Sequence, residues 1–165
     1  MKLSAPLITA LLGIFAAPQA FAHKGLHHES PTSSGPIHVE KEKEAALKSV
    51  ATSYNKIVQP IFANKCMDCH SAQTKYPWYY KIPGVMQAID SDIKEAREHL
   101  DLTQGFPFKS HASPEEDLTA INDTIQDGSM PPFSYRMFHR DSALTDPERK
   151  AVFDWIEQAK AALKN

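Results

Sequence analysis

Cysteine is scarce in this sequence, since the only two among its 165 residues are Cys66 and Cys69. Both belong to a C-x-x-C-H pentad that ends at His70, so one local motif uses both thiols and none is left for a structural disulfide. A zinc site takes four ligands, and the chain has no second cysteine pair to complete one. The scarcity therefore excludes a disulfide scaffold and argues against structural zinc.

Excess charge and long apolar runs are also missing. The formal net charge is −2, which gives no indication of nucleic acid or of an anionic membrane surface as a partner. The apolar run from Leu7 to Ala17 is too short to span a bilayer. Because it follows Lys2 and precedes the A-x-A site Ala20–Ala22, we predict a signal peptide over residues 1–22, periplasmic localisation and no integral membrane segment after cleavage.

The pentad itself predicts a covalently attached haem. Each thiol can add across a vinyl group of the porphyrin, and the imidazole of His70 can then bind the iron. A thioredoxin-like redox pair is another use of C-x-x-C, but it occurs in a βαβ context and does not need the trailing histidine. Export agrees with the prediction, because haem c is attached outside the bacterial cytoplasm. We expect one haem c per chain, bound through Cys66 and Cys69.

Residues 23–39 are polar and contain prolines and glycines, which predicts a flexible leader. The leader holds four histidines, His23, His27, His28 and His38. Such a tract can bind copper or zinc, or it can be a solvated tail, and both interpretations stay open. Residues 40–165 are then expected to form a single domain.

Apolar residues recur at steps of three and four, which predicts an all-α domain. The first helix is expected from about Glu40 to Pro60, where the proline interrupts it before a short turn into the pentad. Another helix is expected over residues 85–100, and capping boxes at Ser113 and Thr145 predict the starts of two more. No segment alternates as a strand would. The side chains expected in the core are Leu47, Val50, Tyr54, Ile57, Val58, Met86, Ile89, Ile93, Ala96, Leu100, Leu118, Ile121, Ile125, Val152, Trp155, Ile156, Ala159 and Leu163.

The second axial ligand of a haem iron separates electron carriers from reactive haems. Met130 is the leading candidate, because Gly128-Ser129-Met130-Pro131-Pro132 is a stiff loop in which a thioether loses little entropy on ligation. A methionine that fills a gap in the core is the alternative interpretation. Met67 lies inside the pentad and cannot reach the opposite face of the haem. The remaining candidates are Met86, Met137, His99, His111 and His139.

From Cys66 to about Lys160 the sequence resembles the haem-binding domain family of bacterial periplasmic proteins, a relative of class I cytochromes c. The first block of the resemblance comprises Cys66, Cys69, His70, Ser71, Thr74, Tyr76, Pro77, Trp78, Tyr79, Ile82 and Pro83. The second comprises Gly128, Met130, Pro131, Pro132, Tyr135, His139, Ala143, Leu144, Thr145 and Glu148. The chain departs from the family pattern at Ala72, where Asn is usual, and at Arg140, where Pro usually follows the histidine.

The resemblance implies a cytochrome c-like helical domain wrapped around a covalent haem. It also implies that a backbone carbonyl of Ile82 or Pro83 accepts the hydrogen bond from the second ring nitrogen of His70. The aromatic loop from Tyr76 to Tyr80 can pack against the haem or dock a partner.

We expect single-electron transfer through a haem ligated by His70 and Met130, in a monomer that exchanges electrons with periplasmic redox proteins. The alternative is a haem-based peroxidase or sensor in which Met130 is displaceable and His139, His111 or Arg136 acts as distal base or donor. A third interpretation is a metal-handling protein that uses the histidine-rich leader.

Overall fold

The computed structural model describes residues 36–164, and the predicted signal peptide and most of the histidine-rich leader lie outside them. The described residues are mainly helical, which confirms the predicted cytochrome c-like helical class. None of the helices in this part of the chain has the length and apolar character needed to cross a membrane.

One helical run leads into the pentad. Helix α1 spans Pro36–Ser53, a π-helical stretch follows over Tyr54–Val58, and α2 continues over Gln59–Lys65. The predicted interruption takes the form of the π-helical stretch, and Pro60 stands at the start of the short helix α2 that leads into the pentad, as predicted. A proline lacks an N–H, and its ring clashes with the carbonyl four residues earlier in an ordinary helix. The wider turn, closed by a bond from the backbone N–H of Gln59 to the carbonyl of Tyr54, precedes the proline and lets the helix continue.

The run also begins earlier than expected, because residues 36–39 of the predicted leader are already helical. A one-turn helix, α3, covers Met67–His70. A 3₁₀ turn at Trp78–Lys81 precedes α4, which spans Val85–His99 and confirms the helix predicted there.

The domain also contains a short β-sheet, which the sequence pattern did not predict. Strand β1, Leu100–Asp101, pairs antiparallel with β2, Lys109–Ser110, so the expectation of no strand is wrong. Strands of two residues are too short to show an alternating pattern. The remaining elements are α5 at Pro114–Gln126, α6 at Phe133–Phe138, a 3₁₀ turn at Arg140–Ser142 and α7 at Asp146–Leu163.

Both predicted capping boxes are confirmed. The Ser113 hydroxyl accepts a hydrogen bond from the backbone N–H of Glu116 at the start of α5, and Thr145 makes the same contact with Glu148 at the start of α7. Gly128 follows the last turn of α5 with a φ of +73°, a left-handed conformation that glycine adopts without steric cost. The loop that carries Met130 therefore leaves α5 in a defined direction.

The main core lies between α1, the π-helical stretch, α5 and α7. Tyr54 packs against Trp155, whose ring centroid is 5.6 Å away, and the Trp155 indole N–H donates to the Ser53 hydroxyl at 3.0 Å. Ile57, which was expected inside, is exposed, because Tyr54 and Val58 provide the buried face of the π-helical stretch. The predicted core residues that are buried are Val50, Tyr54, Val58, Leu118, Ile121, Ile125, Val152, Trp155, Ile156 and Ala159.

Helix α4 differs from the helices of this core. It carries the predicted apolar stripe, yet none of its residues is buried. Ile89, Ile93 and Ala96 are half-buried and Met86 is exposed. The stripe packs next to the pentad helix α3 rather than into the main core. The accessible apolar face of α4 thus lies beside the two cysteines and the histidine of the pentad, which form the candidate functional site.

Candidate functional site

The pentad is presented by a single helical turn. The backbone N–H of Cys66 bonds to the carbonyl of Phe62 at the end of α2, and the N–H of His70 bonds to the carbonyl of Cys66 at 3.0 Å. Cys66 and Cys69 are both half-buried and are not joined to each other. The turn places the two thiols and the imidazole within one short segment.

Burial affects the acidity of both thiols of the pentad. Burial, and then the neighbouring Cys69, raise the pKa of Cys66 to about 12. Burial, followed by the charge of Asp68, also raises the pKa of Cys69. Reactive C-x-x-C motifs have lowered pKa values instead. Within residues 36–164 no group of three or more His, Cys, Asp or Glu side chains could hold a metal ion. The raised pKa values are unlike those of a thioredoxin-type redox pair.

The ring of His70 is fixed by the backbone of the residue that follows α4 in sequence. Its Nδ1 donates to the carbonyl oxygen of Leu100 at 2.9 Å, and the backbone N–H of Leu102 donates to the carbonyl of His70 at 2.7 Å. The partner implied by the family resemblance, Ile82 or Pro83, is therefore wrong for this chain, because strand β1 passes closer to the ring. Bonding at Nδ1 sets the tautomer and leaves Nε2 as the nitrogen that can bind a metal.

The segment that holds His70 is itself braced by Asp101. The carboxylate accepts hydrogen bonds from Arg97 at 2.9 Å and from the backbone N–H of Thr103 at 2.9 Å. The Thr103 hydroxyl also contacts Asp101 and accepts the backbone N–H of Ala72, just beyond the pentad, at 2.9 Å. Burial opposes ionisation of Asp101, but its bonds to Thr103 and Arg97 outweigh burial and lower the pKa.

Large apolar side chains are exposed on the segments around the pentad. They are Trp78, Ile82, Met86, Met130, Phe133, Met137 and Phe138. Soluble proteins rarely leave such a set uncovered without a binding role. Two thiols, an imidazole with a free nitrogen and this apolar set together fit a haem, whose ring has two large apolar faces. The residues that would hold it are Cys66, Cys69 and His70.

Met130 lies in the loop between α5 and α6. The carboxylate of Asp127 accepts the N–H of Ser129 at 2.8 Å, and the carbonyl of Thr124 accepts the N–H of Met130 at 3.2 Å. The backbone is thus well defined, while 42% of the Met130 side chain is exposed. These features suit a ligand, but the role of Met130 as sixth ligand stays a prediction.

The other ligand candidates occupy different settings. Met137, on the unpredicted helix α6, is 57% exposed, and Met86 is exposed on α4. Met67 is buried in the main core. His99 and His111 are exposed.

His139 forms contacts that sequence reasoning missed. Its Nε2 and the Tyr79 hydroxyl are 2.7 Å apart, and its ring stacks on Tyr135 with centroids 4.1 Å apart and planes 7° apart. The Tyr135 hydroxyl donates to Asp68, inside the pentad, at 3.3 Å. Burial, and then Asp68, raise the pKa of Tyr135. Of these four residues, all but Asp68 belong to the two blocks of the family resemblance, which is the signal that could have suggested the cluster.

Comparison with known proteins agrees with this geometry. A family model described as "Haem-binding domain" matches residues 33–158. The chain is also similar to "Cytochrome c peroxidase Ccp" of Escherichia coli (strain K12), with 30% identity over 125 residues. That match covers 74% of this chain but 27% of the relative, so the chain spans about a quarter of the relative's length. No solved structure matches the chain.

Proposed function

Because the chain belongs to the haem-binding domain family, we propose that it is a mono-haem c-type cytochrome that transfers single electrons in the periplasm. The observation that carries this proposal is the orientation of His70, whose Nδ1 is bound to Leu100 while Nε2 remains for the iron. The proposed partners are periplasmic redox proteins, and the proposed unit is a monomer.

Each site residue has a distinct proposed role. Cys66 and Cys69 would hold haem c through two thioether bonds, and His70 would be the proximal ligand. Met130 would be the sixth ligand, and its soft sulfur favours the ferrous state. When bound, the haem supplies an iron that gains and loses one electron. Hydrogen bonds fix the ring of His70 and the backbone of Met130, which supports the proposed role of a carrier.

Ligation is tested by a matched pair of substitutions in the haem-loaded protein. Met130→Leu should abolish the sulfur-to-iron absorption band and lower the reduction potential, because the soft ligand is lost while side-chain volume is kept. Met137→Leu makes the same change seven residues along (137 − 130) and should preserve the band. Loss of the band in the Met137 variant alone would assign the ligand to Met137.

Covalent attachment has its own test. Acid-acetone extraction should leave the haem on the polypeptide, and mass spectrometry should show one haem on a chain that begins at His23. Haem released into the organic phase would contradict attachment through Cys66 and Cys69. A chain that still begins at Met1 would contradict the proposed signal peptide and periplasmic localisation.

A haem peroxidase is the second candidate function, favoured by the similarity to the cytochrome c peroxidase of E. coli. The geometry around His139 argues against it, because its Nε2 is bonded to the Tyr79 hydroxyl rather than free to act as a distal base. The two functions are separated by mixing the reduced protein with hydrogen peroxide. A carrier should keep a low-spin spectrum and turn over slowly, whereas a high-spin spectrum with rapid turnover would favour the peroxidase.

A further inference from the structure

Two hydrogen bonds attach α6 and the residue that follows it to the pentad and to the aromatic loop. One joins Tyr135, on α6, to Asp68 within the pentad, and the other joins His139, just after α6, to Tyr79 in the aromatic loop. The stack of Tyr135 on His139 connects the two bonds into one cluster. We call Tyr79, Tyr135 and His139, with Asp68, the aromatic latch.

Met130 is mechanically connected to this latch. Pro131 and Pro132 separate it from the start of α6 at Phe133, and consecutive prolines make a stiff link. On its other side Met130 is anchored to α5 through the carbonyl of Thr124. The α5 anchor fixes where the loop begins, and the latch fixes where it ends. A movement of α6 away from the pentad would therefore carry the Met130 side chain with it.

We propose that the aromatic latch positions Met130 and sets how readily another ligand can replace it. The inference rests on the proposed function, in which Met130 is the sixth ligand, and it assigns Tyr79, Tyr135 and His139 as positioning residues. None of the residues of α6 is buried, and its Phe138 ring contacts the ring of Tyr79 with centroids 5.6 Å apart. That ring contact is kept in Tyr79→Phe, so the variant tests the hydrogen bonds of the latch.

The latch would act by lowering the fraction of molecules in which Met130 is not bound to the iron. An added ligand such as imidazole binds only the fraction of molecules in which Met130 has left the iron. If leaving requires α6 to detach, every latch contact lowers that fraction. Removing one neutral hydrogen bond should raise the fraction of molecules in which Met130 has left the iron by roughly threefold to tenfold. The apparent affinity for imidazole should rise by the same factor.

The experiment compares Tyr79→Phe with Tyr80→Phe in the ferric haem-loaded protein. Both changes remove one phenolic hydroxyl from the same 3₁₀ turn and keep the ring. The Tyr79 hydroxyl reaches His139 at 2.7 Å, whereas the Tyr80 hydroxyl reaches Asp90 on α4 at 2.8 Å. Imidazole titration should show the threefold to tenfold rise for Tyr79→Phe and no change for Tyr80→Phe. The sulfur-to-iron band of Tyr79→Phe should also be lost at a lower imidazole concentration.

A second variant addresses the same bond from its other end. His139→Phe keeps an aromatic ring to stack on Tyr135 but cannot bond to Tyr79. It should raise imidazole affinity as much as Tyr79→Phe does, and the double variant should add little, because either change alone removes the shared bond. Should Tyr79→Phe fail to yield folded haem protein, His139→Phe provides the test alone.

The outcomes distinguish a failure of the proposed Met130 ligation from a failure of the latch alone. A wild type without the sulfur-to-iron band would overturn the proposed ligand and the latch with it. A wild type with the band, together with a Tyr79→Phe variant of unchanged imidazole affinity, would overturn the latch alone. Equal rises in Tyr79→Phe and Tyr80→Phe would also overturn it, since a general loosening of the turn would then be the cause.

Discussion

The Nδ1 atom of His70 lies 2.9 Å from the carbonyl oxygen of Leu100, although thirty residues separate the two in sequence. A side chain next to the cysteines is thus oriented by the backbone of a short strand. Because the acceptor is a backbone carbonyl of β1, its position depends on the contacts that hold β1. The hydrogen-bonded turn formed by Asp101 and Thr103 performs this task.

Thr103→Val should destabilise the domain by about 1–3 kcal/mol. The change keeps the shape of the side chain but leaves the backbone N–H of Ala72 without its acceptor and removes one bond to Asp101. The measurement is urea unfolding of the haem-loaded protein. Thr119→Val is the matched control, because its exposed hydroxyl only bonds to a carbonyl of its own helix. An equal loss in both variants would contradict this account of the turn.

The pH dependence of stability should differ in sign for two buried carboxyls. The pKa of Asp101 is lowered from 3.8, so its contribution is present above that pH and is lost as the pH falls through the folded-state value. The pKa of Asp117 is raised from 3.8, mainly by burial and despite its bond to Ser110. Its contribution is therefore greatest below 3.8 and is lost as the pH rises through the folded-state value.

Unfolding of Asp101→Asn and Asp117→Asn from about pH 3 to about pH 7 tests both signs. The free-energy gap between wild type and Asp101→Asn should widen with rising pH, and the gap for Asp117→Asn should narrow or reverse. Each change should follow the direction of the pKa shift of that carboxyl. Parallel curves for the two variants would show that neither carboxyl has the assigned environment.

Lys65→Met should destabilise the domain by about 2 kcal/mol. Only 12% of the Lys65 side chain is exposed, and its ammonium donates to the carbonyls of Asp141 and Ala143 near the start of α7. Methionine keeps the apolar stem and leaves both carbonyls without this donor. Lys48→Met, at an exposed lysine that pairs with Glu44 on α1, should change thermal stability little. Similar melting temperatures for the two variants would contradict the prediction.

Loss of haem attachment should loosen one half of the domain more than the other. In Cys66→Ala/Cys69→Ala, α1, α5 and α7 still share a core, whereas α4 and α6 have no buried residues of their own. Amide hydrogen exchange should therefore accelerate in α4 and α6 and remain slow in α7. Uniform acceleration throughout the chain would show that the main core also depends on haem.

Features encoded within one turn of helix could be predicted from sequence. The capping boxes at Ser113 and Thr145 each depend on residues three apart, and the structure has both as predicted. The pentad is equally local, and it led to the family that the comparisons show.

Long-range partners could not be predicted in this way. The choice of Leu100 rather than Ile82 for His70 depends on where β1 runs after α4, and no local pattern specifies that path. The bond between Tyr79 and His139 spans sixty positions and requires α6, which has neither a capping box nor a buried stripe. Both are consequences of tertiary packing, which a single sequence does not display.

The π-helical stretch sets the rotational phase of the pentad. Val50, Tyr54, Val58 and Phe62 are all buried at four-residue intervals. In an ordinary helix each such step advances about 40° beyond a full turn, which would accumulate to about 120° over three steps. The wide turn at Tyr54–Val58 takes up part of this advance, so the residues that follow keep facing inward. Deleting one exposed residue there should therefore let the stretch close as an ordinary α-helix, with the buried positions four, three and four residues apart and the His70 ring still directed toward strand β1.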